Sequence, residues 1–336
     1  MQQLKGTDPK RIGPITIRGL LGYGGMGRVY YGFTEEGESV AVKVIREDLL
    51  SRDEVRARFF RELDALRSVQ GPQIAALLDA SDENAEQPWL ATEYIRGLTV
   101  KELIVTRGAL NVQHGATLGL LLTKALADIH AAGLLHRDLT PGNILMSREG
   151  PKVIDFGLAA FADGPSDLTG STAQLGTPPC MAPEQVTTPR EISTATDVYG
   201  LGATLLYALS GHFPYRDRVT ATRLLKIADP NSPPDLGGLS ERFEPLVRSM
   251  LAHAPADRPT LVEVSAWCEQ VIGSQLTAAI RDLAVDNYVE RDTDPPDQSP
   301  QPKPAPKDLS AVAPPGSVIH HLAEKLRREY AATARF

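Results

Sequence analysis

One stretch limits the fold more than any other: "ITIRGLLGYGGMGRVYYGFT", residues 15–34. Gly22, Gly24 and Gly27 have the GxGxxG spacing that dinucleotide-binding folds also use. Those folds need a helix directly after the glycines. Here Val29, Tyr30 and Tyr31 continue as a β-patterned run, so the segment reads as strand, turn and strand. A Gly-rich turn of this kind lets backbone N–H groups approach phosphate oxygens unobstructed. An ordinary Gly-rich hairpin has the same letters, so the residues downstream must decide between the two.

The next segment, "ESVAVKVIR", is another strand and carries Lys43. With Val42 and Val44 turned to one side, Lys43 is free to face the other, into a cleft. Its ammonium would need a carboxylate to hold it. Val55, Phe59, Leu63 and Leu66 recur at helical spacing, and Glu62 on that helix is the natural partner; Glu54 and Asp64 are less suited by position. "IAALLDA" and "PWLATEYI" read as two more strands. From about Gly97 the pattern turns helical, with "GATLGLLLTKALADIHAAG" and "TDVYGLGATLLYALSG" apolar on most faces. The layout is a small β-rich lobe followed by a larger helical one.

Two further motifs carry chemistry. "HRDLTPGN", His136 to Asn143, supplies Asp138, suited to orient a hydroxyl proton, and Asn143, an oxygen donor. "DFG" begins at Asp155, a second hard oxygen ligand suited to Mg²⁺. "APE", Ala182 to Glu184, comes next in order. Any one could arise by chance; the ordered set excludes that.

Together these motifs resemble the protein-kinase superfamily. "GYGGMGRVY" and "GTPPCMAPEQ" are similar to the bacterial, eukaryotic-like (Hanks-type) Ser/Thr kinases. The resemblance implies an α+β, bilobal protein-kinase-like fold over residues 12–272, with a small β-rich N-lobe at 12–95 and a larger helical C-lobe at 96–272. It implies ATP and Mg²⁺, or Mn²⁺, as cofactors and protein Ser/Thr hydroxyls as acceptors. The implied catalytic set is Lys43, Asp138, Thr140, Asn143 and Asp155, with Asn143 and Asp155 as metal ligands. The implied nucleotide contacts are Leu21, Gly22, Gly24, Gly27, Val29, Ala41, Lys43, Glu62, Thr92, Glu93, Ile95 and Leu145. Among these, Glu93 to Ile95 resemble the adenine-binding hinge and Thr92 its gatekeeper. Asp197 resembles the helix Asp that supports the catalytic loop, and Arg258 the structural partner of Glu184.

One position departs from the pattern. Ser/Thr kinases usually carry Lys two residues after the catalytic Asp, where it meets the transferred phosphate; this chain has Thr140. Losing one electrostatic donor typically costs on the order of 10²–10³ in rate. With Lys43, Glu62, Asp138, Asn143 and Asp155 all present, the reading is an active, autophosphorylating kinase with a modified loop. The alternative is a nucleotide-binding pseudokinase scaffold with little or no transfer. A small-molecule kinase of similar fold fits less well, because "GTPPCMAPE" resembles a protein-substrate platform. Thr169, Ser171 and Thr172 sit where such kinases autophosphorylate, and Arg137 is placed to pair with such a phosphate. No basic residue comes directly after the DFG triplet. Thr177 resembles the platform residue that contacts the catalytic Asp.

A net charge of −7 argues against a nucleic-acid partner. Two distant cysteines, Cys180 and Cys268, exclude a disulfide framework and fit a cytoplasmic setting. The N-terminus lacks the apolar core of a secretory signal, and no apolar run is long enough for a transmembrane segment. Residues 273–316 are expected as a Pro-rich, disordered linker, and 317–336 as an amphipathic helix through Ile319, Leu322, Leu326 and Tyr330. Either segment is a candidate for binding a partner.

Overall fold

Strand alternation in the first hundred residues builds an antiparallel sheet, and its register decides which side chains face the cleft. A computed structural model of the chain describes residues 1–50, 52–155, 178–291 and 294. The sheet consists of β1 (Arg11–Ile12), β2 (Ile15–Gly24), β3 (Gly27–Phe33), β4 (Ser39–Ile45), β5 (Leu77–Ala80) and β6 (Trp89–Glu93), in the order β1-β2-β3-β4-β6-β5. The helix α1 (Asp53–Leu66) lies between β4 and β5 in sequence and buries Val55, Phe59, Leu63 and Leu66.

Cross-strand partners share a face of an antiparallel sheet. Tyr30 pairs with Val42, and Val42 with Ala91; Val44 pairs with Trp89. These residues form one apolar cluster with Val40, Ile15, Ile17 and Leu20, covered in part by Leu4 from the N-terminal segment. Burying each large side chain there contributes roughly 1.5–3 kcal/mol. The opposite face carries the pairs Val29 with Lys43 and Ala41 with Thr92.

The second lobe is helical: α2 (Val100–Arg107), α3 (Val112–Ala131), α4 (Pro183–Thr187), α5 (Thr194–Ser210), α6 (Thr220–Ala228), α7 (Glu244–Met250), α8 (Leu261–Ile272) and α9 (Leu276–Asn287), with a hairpin of β7 (Ile144–Ser147) and β8 (Gly150–Val153). α3 and α5 are apolar nearly all round because both run through the core. Thr99, Asn111, Ser193 and Thr260 cap their helices through side-chain oxygens. One continuous core joins α1 to the helical lobe. These lobes belong to one compact unit, Met1–Glu35 with Ser39–Asp294.

The structure corrects one boundary. The expected linker from 273 begins instead with α9, which buries Ala279 and Leu283 in the helical core. Its spacing of Leu276, Ala279, Ile280 and Leu283 is helical, and the small alanines allow close packing. Residues 292, 293 and 295–316 of the expected linker, and the helix expected at 317–336, lie outside the described residues. Cys180 and Cys268 are buried and unbridged.

Candidate active site

The β4 register turns Lys43 away from Val42 and Val44, as its spacing requires, and its side chain is 8% exposed. Its ammonium meets Asp155 Oδ1 at 3.0 Å. The expected partner was Glu62; among the described residues the ion pair of Lys43 is with Asp155, and Glu62, a half-buried residue of α1, has interactions of its own. Asp155, with φ of 60°, has the left-handed backbone that a non-glycine residue rarely adopts. Arg137 has the same conformation, with φ of 65°. Such strain persists where surrounding bonds over-determine it.

Those bonds are visible for Arg137. Asp197, on the first turn of α5, accepts the N–H groups of His136 and Arg137 at 2.9 and 2.8 Å and meets His130 Nε2 at 2.7 Å. Gln185 Nε2 donates to the Arg137 carbonyl at 2.8 Å. Thr204 donates to the Leu139 carbonyl at 3.3 Å. A Cβ at Gly200 would lie 3.2 Å from that same carbonyl oxygen, so glycine lets α5 pass against the loop. Burial holds the His136 imidazole below its ordinary pKa, against the pull of Asp197 and Asp138. Of these supports, Asp197 is legible from its motif; His130, Gln185, Gly200 and Thr204 carry no comparable sequence signal.

Within the loop, Asn143 Nδ2 donates to the Asp138 carbonyl at 2.8 Å and to its carboxylate at 3.1 Å. With its nitrogen so engaged, the amide oxygen of Asn143 is left as a donor to a cation. Asp155 is 36% exposed and adds carboxylate oxygen. Hard oxygens of this kind fit Mg²⁺ or Mn²⁺. Thr140 closes the 3₁₀ turn, its carbonyl accepting from Asn143 N–H at 3.0 Å, and is only 3% exposed.

The three glycines of the GxGxxG motif serve different purposes. A Cβ on Gly27 would meet the Val44 carbonyl oxygen at 1.8 Å, so β4 can lie alongside only because no side chain is there. A Cβ on Gly22 would meet nothing within 4 Å, and one on Gly24 only the Gly27 oxygen at 3.9 Å. Packing does not demand glycine at either position.

Thr92 and Glu93 end β6, and Glu93 Oε1 is held by Lys152 Nζ at 2.9 Å and Ala76 N–H at 3.1 Å. Ile95 is buried in a small cluster with Ala75 and Leu145. Among the described residues no hydrogen bond engages the backbone N–H or C=O of Ile95. Leu21, Val29 and Ala41 are half-buried. Thr169, Ser171, Thr172 and Thr177 lie outside the described residues.

Glu184 and Arg258 form a bidentate pair at 2.6 and 2.7 Å. Arg258 also donates to the carbonyls of Ala252, Ala195 and His253, and lies 5.0 Å from the Tyr199 ring centroid. Thr196, an unforeseen partner, donates to Glu184 at 2.7 Å.

Comparison with known proteins agrees with this geometry. Residues 15–270 match the protein kinase domain family. The chain is similar to serine/threonine-protein kinase AfsK of Streptomyces griseus, 39% identical over 262 residues, 77% of this chain and 32% of that protein. It is also similar to serine/threonine-protein kinase PknK of Mycobacterium tuberculosis, 37% identical over 248 residues, 71% of this chain and 22% of that protein. It thus spans about a third of the first relative's length and less of the second's. The crystal structure of the M. tuberculosis PknI kinase domain superposes with a TM-score of 0.61 at 25% identity, covering 77% of this chain and 95% of that one. The chain belongs to the protein kinase family, with bacterial serine/threonine kinases among its relatives.

Proposed function

We propose that this protein transfers the γ-phosphate of ATP to Ser or Thr hydroxyls of proteins, itself included. The observation that carries the reading is the unfilled space over Gly22 and Gly24, on the hairpin whose second strand pairs with Lys43. A phosphate chain bound there would be met by backbone N–H groups and by the Lys43 ammonium. Adenine would pair with the free N–H and C=O of Ile95 and pack on Leu21, Val29, Ala41 and Leu145, with Thr92 at the back.

Asn143 and Asp155 are the residues that would hold a divalent cation, which screens phosphate charge when bound. Mg²⁺ is our choice over Mn²⁺. Asp138, oriented by Asn143, would position the acceptor hydroxyl and receive its proton. Glu62 would support the cleft without holding Lys43 in this arrangement. Arg137 would face a phosphate on Thr169, Ser171 or Thr172, and Thr177 would contact the acceptor. Thr140 offers no charge, so Lys43 would be the cation that meets the transferred group, with the ion held by Asn143 and Asp155 screening its charge when bound. We place the activity in the cytoplasm, in line with two unbridged cysteines. Among the described residues no helix is long and apolar enough to cross a membrane.

The test is transfer of label from γ-labelled ATP to the protein and to a generic basic substrate, with Mg²⁺ and with Mn²⁺. The expected result is incorporation by the wild type and none by Asp138→Asn at unchanged thermal stability. No incorporation by the wild type with either metal would overturn the proposal; ATP binding without turnover would then favour a scaffold.

A further inference from the structure

The segment after α9 lies beyond the family match, which ends at 270, yet it returns to the edge of the cleft. Its anchor is Asp294. That carboxylate accepts the Tyr94 phenol at 2.5 Å, the Gly97 N–H at 3.4 Å and the Arg291 N–H at 3.1 Å. Two of the three donors flank the peptide of Ile95 and Arg96. A carboxylate acceptor makes these bonds stronger than neutral ones. Burial, then Asp294 itself, pushes the Tyr94 phenol well above its ordinary pKa, so it stays a donor.

Tyr94 is held from the other side as well. Its ring meets Tyr31 of β3 edge-on, with centroids 4.8 Å apart. The phenol therefore stands between the strand after the Gly-rich turn and the returning C-terminal segment. Gly97, with φ of 121°, has a backbone that only glycine readily adopts, and a Cβ there would strike the Met146 carbonyl oxygen at 2.1 Å. Pinning its N–H fixes a link that would otherwise turn freely.

Further contacts bring Asp294 to this place. Glu290 meets Arg96 at 3.8 Å and Arg148 at 3.4 Å. Arg291 pairs with Glu102, whose carboxylate also closes the capping box of α2 on Thr99. The Arg148 guanidinium lies 5.1 Å from the Tyr288 ring centroid. These ion pairs are partly exposed and weak one by one. Together they select one path for the chain from α9 to the hinge.

We propose that Tyr288–Arg291 and Asp294 form a strap that sets the hinge in its nucleotide-binding geometry, with Asp294 as a positioning residue acting through Tyr94 and Gly97. This rests on the nucleotide-binding reading above. It gives residues outside the family match a part in nucleotide affinity, and offers a partner that displaced the strap a route to the cleft.

The test uses the full chain and ADP as the probe. ADP affinity is measured for wild type, Asp294→Ala, Tyr94→Phe and the double variant. Asp282→Ala, which removes an exposed α9 carboxylate paired, among the described residues, only with Arg281 on the same helix, is the control. Each single variant is expected to weaken ADP binding about 3–10-fold, with Tyr94→Phe, which loses one hydrogen bond, at the lower end and Asp294→Ala, which loses three, at the upper. The double variant should lose no more than the worse single, since the two changes break the same bond. KM for ATP should rise likewise with kcat held within about twofold, and amide exchange over residues 93–97 should quicken in nucleotide-free Asp294→Ala. ADP affinity unchanged in Asp294→Ala, or fully additive losses, would overturn the strap while leaving the kinase reading intact. A wild type that binds no ADP would overturn both.

Discussion

Two buried ion pairs in this molecule differ in a way that separates structure from chemistry. Arg258 and Glu184 are 0% and 5% exposed in their side chains; Lys43 and Asp155 are 8% and 36% exposed. Arg258 has all five donors engaged, on Glu184 twice and on three carbonyls. Among the described residues Lys43 has an ion pair with one carboxylate, and that carboxylate is partly exposed. The first pair is closed, with nothing left to offer a ligand. The second retains capacity for one. A buried charge is tolerated only when paired and hydrogen-bonded, so the closed pair should matter for folding and the open one for turnover.

Breaking the closed pair should have the largest effect on stability. Arg258→Met leaves the Glu184 carboxylate buried, with Thr196 as its remaining side-chain donor, and is expected to destabilise by about 3–5 kcal/mol in urea unfolding. Arg258→Lys should recover only part of this, because an ammonium cannot reproduce the planar fork. Wild-type stability in both variants would show that the pair is not a structural element.

Acid probes the same pair without mutation. Burial works against the Glu184 charge, but the hydrogen bonds and charge of Arg258 outweigh it and hold its carboxyl below the ordinary 4.5. Burial likewise holds His136 below the ordinary 6.5. For both, the unfolded chain binds protons more readily than the folded one. Their contribution is full above the ordinary values and is lost as pH falls through the folded ones. Tm should therefore be level above about pH 7 and decline first below 6.5, through His136, then more steeply below 4.5, through Glu184. Arg258→Met should flatten the second part of that decline. A Tm that rose on acidification would contradict both assignments.

A smaller, mixed effect is expected at the loop. On the proposed function, Thr140→Lys would add a cation beside the transferred phosphate and should raise kcat, by less than about 10²-fold, since Lys43 and a bound metal ion would already supply charge there. Thr140 is only 3% exposed, so the longer side chain should also lower stability by about 1–3 kcal/mol through overpacking. A slower enzyme of unchanged stability would mean that the neutral residue is favoured there.

The motifs made much of this site legible before any coordinates. Period-two alternation of Val40, Val42 and Val44 put Lys43 on the cleft face, because a strand offers only two directions. Ordered spacing put Asp138 and Asn143 in one loop, and the family resemblance put Arg258 on Glu184. Partner choice across the cleft was not legible: among the described residues Lys43 pairs with Asp155, since spacing along α1 says nothing of how far the Glu62 carboxylate stands from β4. α9 was missed because the Pro-rich composition after it drew attention from four apolar residues at helical spacing. The contacts of Asp294 join residues some 200 apart in sequence, a pairing no local pattern encodes.

The most direct test of the contrast between the two pairs is Lys43→Met, which keeps the stem and removes the charge, compared with Arg258→Met. Unfolding free energy and labelled-phosphate transfer are measured on both. Lys43→Met is expected to lose about 10²–10³ in transfer, the worth of one preorganised charge. It should keep its unfolding free energy within about 1 kcal/mol, since water can reach the Asp155 it leaves behind. A Lys43→Met protein that still transfers phosphate at the wild-type rate, or that unfolds as readily as Arg258→Met, would contradict the account.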